Sequence, residues 1–299
     1  MADHKEKVPA LDTVVVGVDF GPGCEIGLEF VRTHLDPNAG LILVHALELP
    51  LDAENRGGET PAQKAIRVEA EGSARQALET LRSKSLGSGP AQVVVAPGEA
   101  PHVLALVADD VSADLIVIGP HRKATRLERL LGTTAQKLIH EAHAPVLLAT
   151  RSFDHPPRRI LAPVSPAGGS DRVLAWTAFL AERTGADVTA IYVVDTPTFG
   201  HEPLDSRTSS PGQGEAPPLR EARSWLEERL TAANLTGAEP LAVPGKANRE
   251  ILETVRDHEI DLIVMGSHGS GLIERLFRAN VADLVSAETP VPVLMVPRS

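Results

Sequence analysis

"IVMGSHGSGLIERLFRAN" (263–280) compresses an apolar strand, two glycines three apart and an amphipathic helical segment into eighteen residues. A twin, "IVIGPHRKATRLERLLGTT" (116–134), stands 147 positions earlier with different residues at the turn. A strand that ends in Gly-x-x-Gly ahead of a helix lets the backbone turn tightly and aim N–H groups at an anion. Glycines also simply end strands, so the surroundings decide what the pattern means.

Those surroundings repeat as well. "LILVHALELP" (41–50) aligns with "VTAIYVVDTP" (188–197), "VVVAPGEA" (93–100) with "PLAVPGKA" (240–247), and "SADLIVIG" (112–119) with "EIDLIVMG" (259–266). "APVLLATR" (144–151) aligns with "VPVLMVPR" (291–298), and the offset slips by one residue near the first strand. The chain is a tandem duplication.

Each half opens on a Val/Ile/Leu-rich strand, "TVVVGVD" (13–19) or "RILAPVS" (159–165), and then alternates helices and strands in the order βαβαβαβαβ. Ser170 is the expected N-cap of the helix "SDRVLAWTAFLAERTG" (170–185). The strands are almost continuously apolar, as strands covered by helices on both faces are. The expected fold is α/β: two tandem three-layer α/β/α domains, each a five-stranded parallel doubly wound (Rossmann-like) sheet. The first domain spans 1–151, a linker 152–158, and the second 159–299; two prolines in "RSFDHPPRR" (151–159) mark the boundary.

A length of 299 residues suits two such domains. The formal charge of −11 disfavours non-specific binding to nucleic acid or to an anionic membrane. No apolar run approaches a membrane span, and the charged start "MADHKEKVPALD" does not read as a secretory leader. With Cys24 as the single cysteine, no intrachain disulfide forms, and the expected location is the cytoplasm. Cys24 falls near the start of the first helix, where a thiol is either activated or a small packing residue. The loops 49–61 and 196–220 read as surface connections.

In doubly wound sheets ligands sit at the carboxyl ends of the strands, where the strand order reverses. This directs attention to Asp19 and Ser165, to Gly98 and Gly245, and to the two glycine loops. At these positions the chain resembles the universal stress protein family in its tandem form. The resemblance rests on Asp19, Gly98 and Gly245, "DLIVMGSHG", the Leu-Glu-Arg-Leu helix start and the "PVL" strands.

The resemblance implies a nucleotide site with the pattern Gly, two residues, Gly, nine residues, Gly, then Ser or Thr, and a strand-end Asp that holds the nucleoside. The first half supplies Asp19, Gly119, Gly132 and Thr133, with Arg122 in the place of the second glycine and Pro120 lacking an N–H. The second half supplies Gly266 and Gly269, with Ala279, Asn280 and then Val281 at the end of the pattern and Ser165 in the place of the Asp. The better-kept cradle is expected in the second loop.

The implied ligand is an adenine nucleotide of the ATP or AMP type, with magnesium accompanying ATP. The alternative is a nucleotide-free protein acting through protein partners. The resemblance also implies that "PVLLAT" and "PVLMVP" pair within one chain as a pseudo-dimer, with homodimerisation as a further step; each sheet edge is otherwise unpaired.

His121 and His268 occupy equivalent places in the two loops, so each either touches a ligand or shapes its loop; His268 belongs to the better-kept one. His140 and His143 fall three apart on an expected helix, a spacing that suits a solvated helix end better than a metal pair. No nucleophile–base–acid set, G-x-x-x-x-G-K-[ST] or HExxH occurs. The expected protein is therefore a regulatory binder and not an enzyme, slow nucleotide hydrolysis being the enzyme-class alternative.

Overall fold

The computed structural model describes residues 9–48, 60–86, 91–119, 133–150, 155–166, 168–194, 217–267 and 291–297. The chain divides into compact units that meet in sequence at Asp154 and His155. In the N-terminal unit the elements are β1 (Thr13–Gly17), α1 (Pro22–Glu29), β2 (Gly40–Leu47), α2 (Pro61–Leu86), β3 (Ala91–Pro97), α3 (Ala100–Asp110), β4 (Leu115–Ile118), α4 (Thr133–Glu141) and β5 (Val146–Leu148). Wider π-helical turns over Phe30–Leu35 prolong α1. The strand order is β3-β2-β1-β4-β5, parallel throughout.

The C-terminal unit repeats the plan with β6 (Arg159–Pro163), α5 (Ser170–Thr184), β7 (Asp187–Val194), α6 (Pro217–Ala232), β8 (Glu239–Pro244), α7 (Ala247–Asp257), β9 (Leu262–Gly266) and β10 (Val293–Val296). Its order is β8-β7-β6-β9-β10, again parallel. The helix expected between its last two strands falls in 268–290, outside the described residues.

The central strands are apolar without alternation because both of their faces are covered. Val14, Val15 and Val16 are consecutive, so they point to opposite faces, yet none is more than 1% exposed. In β4 the two directions can be assigned. A Cβ built on Gly27 of α1 would lie 3.0 Å from Val117, whereas one on Gly17 would meet Ile118 and Leu104 of α3, each at 3.1 Å. Successive β4 side chains thus meet α1 on one face and α3 on the other. Leu161, Ile263 and Leu174 are buried in the same way in the C-terminal unit.

At the amino edge of each sheet an aspartate ties two strands together. Asp114, 7% exposed, accepts from the Thr13 backbone N–H at 3.0 Å while its own N–H donates to the Thr13 carbonyl at 2.8 Å. Asp261, 147 positions on, accepts from Arg158 and Arg159 at 2.8 and 3.1 Å and donates its N–H to the Arg159 carbonyl. The aspartate of "DLIV" is therefore a structural clasp that sets where the first strand begins.

One capping expectation is corrected. The N-cap of α5 is Gly169, at φ 82°, and Ser170 is the first helical residue. Its hydroxyl accepts from the Ser165 N–H at 3.1 Å and donates to the Ser165 carbonyl at 2.6 Å, closing the loop ahead of the helix. Gly185 ends α5 at φ 71°, as a C-terminal glycine should.

Candidate functional site

In the N-terminal unit the chain runs outward from β1 to β2 and β3, then crosses to β4 and β5 on the other side, so the order reverses between β1 and β4. Gly17 pairs with Ile118 in the last register of these two strands. Asp19 lies two residues beyond that pair and Gly119 one, so the fold brings them together at the switch. Thr133 opens α4, the helix that returns to β5 from the carboxyl edge. In the C-terminal unit, Ser165 follows β6 and Gly266 ends β9, at the equivalent switch. Gly132, His268, Gly269, Ala279, Asn280 and Val281 lie outside the described residues, as do Pro120, His121 and Arg122.

Asp19 is exposed, and its Oδ1 accepts from the Gly21 N–H at 2.8 Å, shaping the turn into α1. Gly119 presses on that same turn: a Cβ at this position would overlap the Gly23 carbonyl oxygen and lie 3.0 Å from the Cys24 nitrogen. The glycine expected to approach a ligand thus also lets β4 approach α1.

Cys24 is 4% exposed, and its Sγ donates to the Gly21 carbonyl at 3.0 Å. Burial, then the negative charges of Asp19 and Glu25, push its thiol pKa up from the ordinary value. The packing reading of this residue is the one the geometry supports. Native protein is expected to be alkylated by iodoacetamide at pH 7 at least about tenfold more slowly than urea-unfolded protein, read by mass spectrometry. Equal rates would show an accessible thiolate.

The residue after Asp19 escaped the sequence reading. Phe20 has φ 55°, a region that bulky side chains avoid, at a cost of order 1–3 kcal/mol. The residue is 36% exposed and its ring lies against His45 of β2, centroids 4.5 Å apart with the planes tilted by 45°. The His45 Nδ1 lies 2.7 Å from the Val18 carbonyl, which can only accept, so this nitrogen carries the proton. Aromatic residues (Phe, Trp, Tyr) make up 3% of the chain, so an exposed phenylalanine against a half-buried histidine at the carboxyl edge stands out. The only sequence signal was Phe20 following the strand-end Asp19; the pairing with His45, 25 positions away, needs the β1–β2 register.

Pro120 has a described counterpart in the C-terminal unit. Its equivalent, Ser267, is 2% exposed and donates its N–H to the Val296 carbonyl at 2.8 Å, extending the β9–β10 pairing. In the C-terminal unit the N–H at this place therefore holds strand to strand. Gly98 and Gly245 are matched as well. At φ 136° and 146°, they donate to the Leu47 and Val194 carbonyls at 3.1 and 3.0 Å, turning the chain off the third strand of each unit. At the turn that follows in the N-terminal unit, Glu48 Oε1 accepts from Ala100 N–H at 3.2 Å, so a carboxylate already occupies the start of α3.

α4 ends at Glu141, so His140 and His143 do not share a helix face as the spacing suggested. His143 is an exposed surface residue facing Asp109, with Nδ1 and Oδ2 3.1 Å apart. No group of three or more metal-ligating side chains occurs among the described residues, and no described helix is long and apolar enough to cross a membrane.

The universal stress protein family model matches the chain twice, over residues 10–150 and 157–297. A universal stress protein of Mycobacterium bovis is 25% identical over 203 residues, 64% of this chain and 66% of its own length, just under two thirds of that relative. Another from Mycobacterium tuberculosis is 23% identical over 296 residues, 94% of this chain and 95% of that protein. The crystal structure of a universal stress protein from Archaeoglobus fulgidus superposes with a TM-score of 0.67 at 17% identity, covering 96% of both chains. With both repeats matched and the doubly wound sheet present in each unit, the chain belongs to the universal stress protein family in its tandem form.

Proposed function

We propose that the chain is a stress-response regulatory protein that binds an adenine nucleotide, of the ATP or AMP type, in the carboxyl-edge crevice of its N-terminal unit. The observation that carries this reading is the meeting of Asp19 and Gly119 at the β1–β4 switch, with Thr133 opening the next helix. An aspartate beside the crevice suits ribose hydroxyls, and backbone N–H groups at a helix start suit phosphate oxygens. With ATP, magnesium would accompany the phosphates. The protein acts by binding and not by turnover, since its strand-end residues supply hydrogen bonds and no activated nucleophile.

A second reading places the nucleotide in the C-terminal unit, and Gly266 with Gly269 is the feature that favours it. Against it stand Ser165 in place of the aspartate and the Ser165–Ser170 clasp, which engages both backbone groups of Ser165.

Thermal unfolding with and without millimolar ATP and magnesium tests both readings, because a ligand that binds the native state must raise its stability. At ATP concentrations about a hundredfold above Kd, the expected stabilisation is about 2.7 kcal/mol. Asp19→Ala should remove most of the shift, while Gly269→Glu leaves it. The reverse result moves the site to the second loop, and no shift in the unaltered protein ends the nucleotide reading in favour of action through protein partners.

A further inference from the structure

We propose that the outer edge of β3 is a self-association surface, on which a second copy of the chain adds its own β3 in antiparallel register about a twofold axis at Val94. This association is independent of the nucleotide reading.

Three observations carry it. The first is an open edge. β3 is the end strand of its unit's sheet, and the Gly98 N–H reaches the Leu47 carbonyl of β2 at 3.1 Å. Backbone groups alternate in direction along a strand, so Gln92, Val94 and Ala96 also face β2, while Ala91, Val93, Val95 and Pro97 face outward. Among the described residues, nothing pairs with the outward N–H and C=O groups of Val93 and Val95.

The second is the contrast between the units. In β8, the matching edge, the Gly245 N–H reaches the Val194 carbonyl at 3.0 Å, so the same alternation turns Pro240, Ala242 and Pro244 outward. Proline has no N–H to offer, and the Pro240 carbonyl already accepts from the Arg223 guanidinium at 3.0 Å. The C-terminal edge is thus blunted at the place where Val93 leaves the N-terminal one open.

The third is self-complementarity. With two β3 strands antiparallel about Val94, Val93 faces Val95 of the second copy, and each exchanges both of its outward groups with the other. Ala91 faces Pro97 of the second copy and donates its N–H to that carbonyl. The bond that proline cannot return is not needed, because the Ala91 carbonyl already accepts from the Arg82 guanidinium at 3.5 Å. No outward donor or acceptor along the strand is left over. β3 also holds no charged residue, so copies of a chain with formal charge −11 meet along a neutral strand whose β-branched valines oppose one another. An unrelated extended peptide has no reason to lack the same donor, so the occupant this edge fits is a second copy.

Sedimentation equilibrium of the full chain, from micromolar to millimolar protein, tests the pairing. The unaltered chain should form dimers. Val93→Pro removes an outward N–H but no bond to β2, and Pro240 occupies the matching place without interrupting the β7–β8 pairing. This variant should unfold within about 3 °C of the unaltered protein and dimerise at least about tenfold more weakly. Under mild oxidation Val94→Cys, which the register sets opposite itself at a Cα spacing of about 4.5 Å, should form a disulfide-linked dimer. Gln92→Cys, set opposite Ala96 of the second copy, should not. Undiminished dimerisation of a folded Val93→Pro overturns the proposal; should that variant misfold, the two cysteine variants decide. Equal cross-linking of both, or none from Val94→Cys, overturns it. A chain that stays monomeric at every concentration overturns it as well and leaves the edge to an extended peptide of another protein.

Discussion

Gly119→Ala is expected to destabilise the N-terminal unit by at least about 2–3 kcal/mol. The added methyl would overlap the Gly23 carbonyl, a backbone atom that cannot rotate aside as a side-chain end would. Relief requires the first turn of α1 to move away from β4. That helix cannot move alone, because Cys24 and Leu28 are buried along it and Phe30 and Val31 continue the buried surface. The urea midpoint should fall, and hydrogen exchange should accelerate first in peptides covering 14–35. The displacement would also separate Asp19 and Phe20 from the end of β4, so ATP binding should weaken together with stability. An unchanged midpoint with unchanged exchange would show that the close approach of strand and helix is not required.

Asp114→Ala should cost roughly 2–3 kcal/mol, because it removes a buried charged acceptor from the half-buried Thr13 backbone N–H. Thr13 would keep its carbonyl bond to the residue 114 N–H but lose the partner of its own N–H, at the first residue of the central strand. Asp114→Asn retains an acceptor oxygen and should cost less. The twin substitution, Asp261→Ala, should also cost less, since Arg158 and Arg159 are exposed and water can replace the carboxylate. Urea denaturation of the three variants checks the order, and an Asp261→Ala loss equal to or larger than that of Asp114→Ala would show that the clasp does not act through burial.

The duplication, the parallel sheet and the alternation of strands with helices were legible because they rest on period and composition: apolar strands with both faces covered look the same in any register. The positions after the strands were legible as locations, and the meeting of Asp19 with Gly119 follows from the Gly17–Ile118 pairing. Less legible was the division of labour among those residues. Gly119 reads as a ligand glycine until the Gly23 carbonyl is seen against it. Ser170 reads as a cap because serine before a helix usually is one, whereas here its hydroxyl is drawn back to Ser165. Each of these depends on contacts between distant segments, which local propensity does not encode. The Phe20–His45 pair is of the same kind, joined through register and not through spacing.

The two aspartate clasps lie at the amino edge, the opposite end of each sheet from the crevices. Strand register is therefore anchored at the end of each sheet away from the proposed nucleotide site. The two units differ at the carboxyl edge, with Asp19 against Ser165 and Phe20 against Pro166, while keeping the same strand framework. Each unit is therefore free to vary at its carboxyl edge while both answer to one shared folding constraint at the other end.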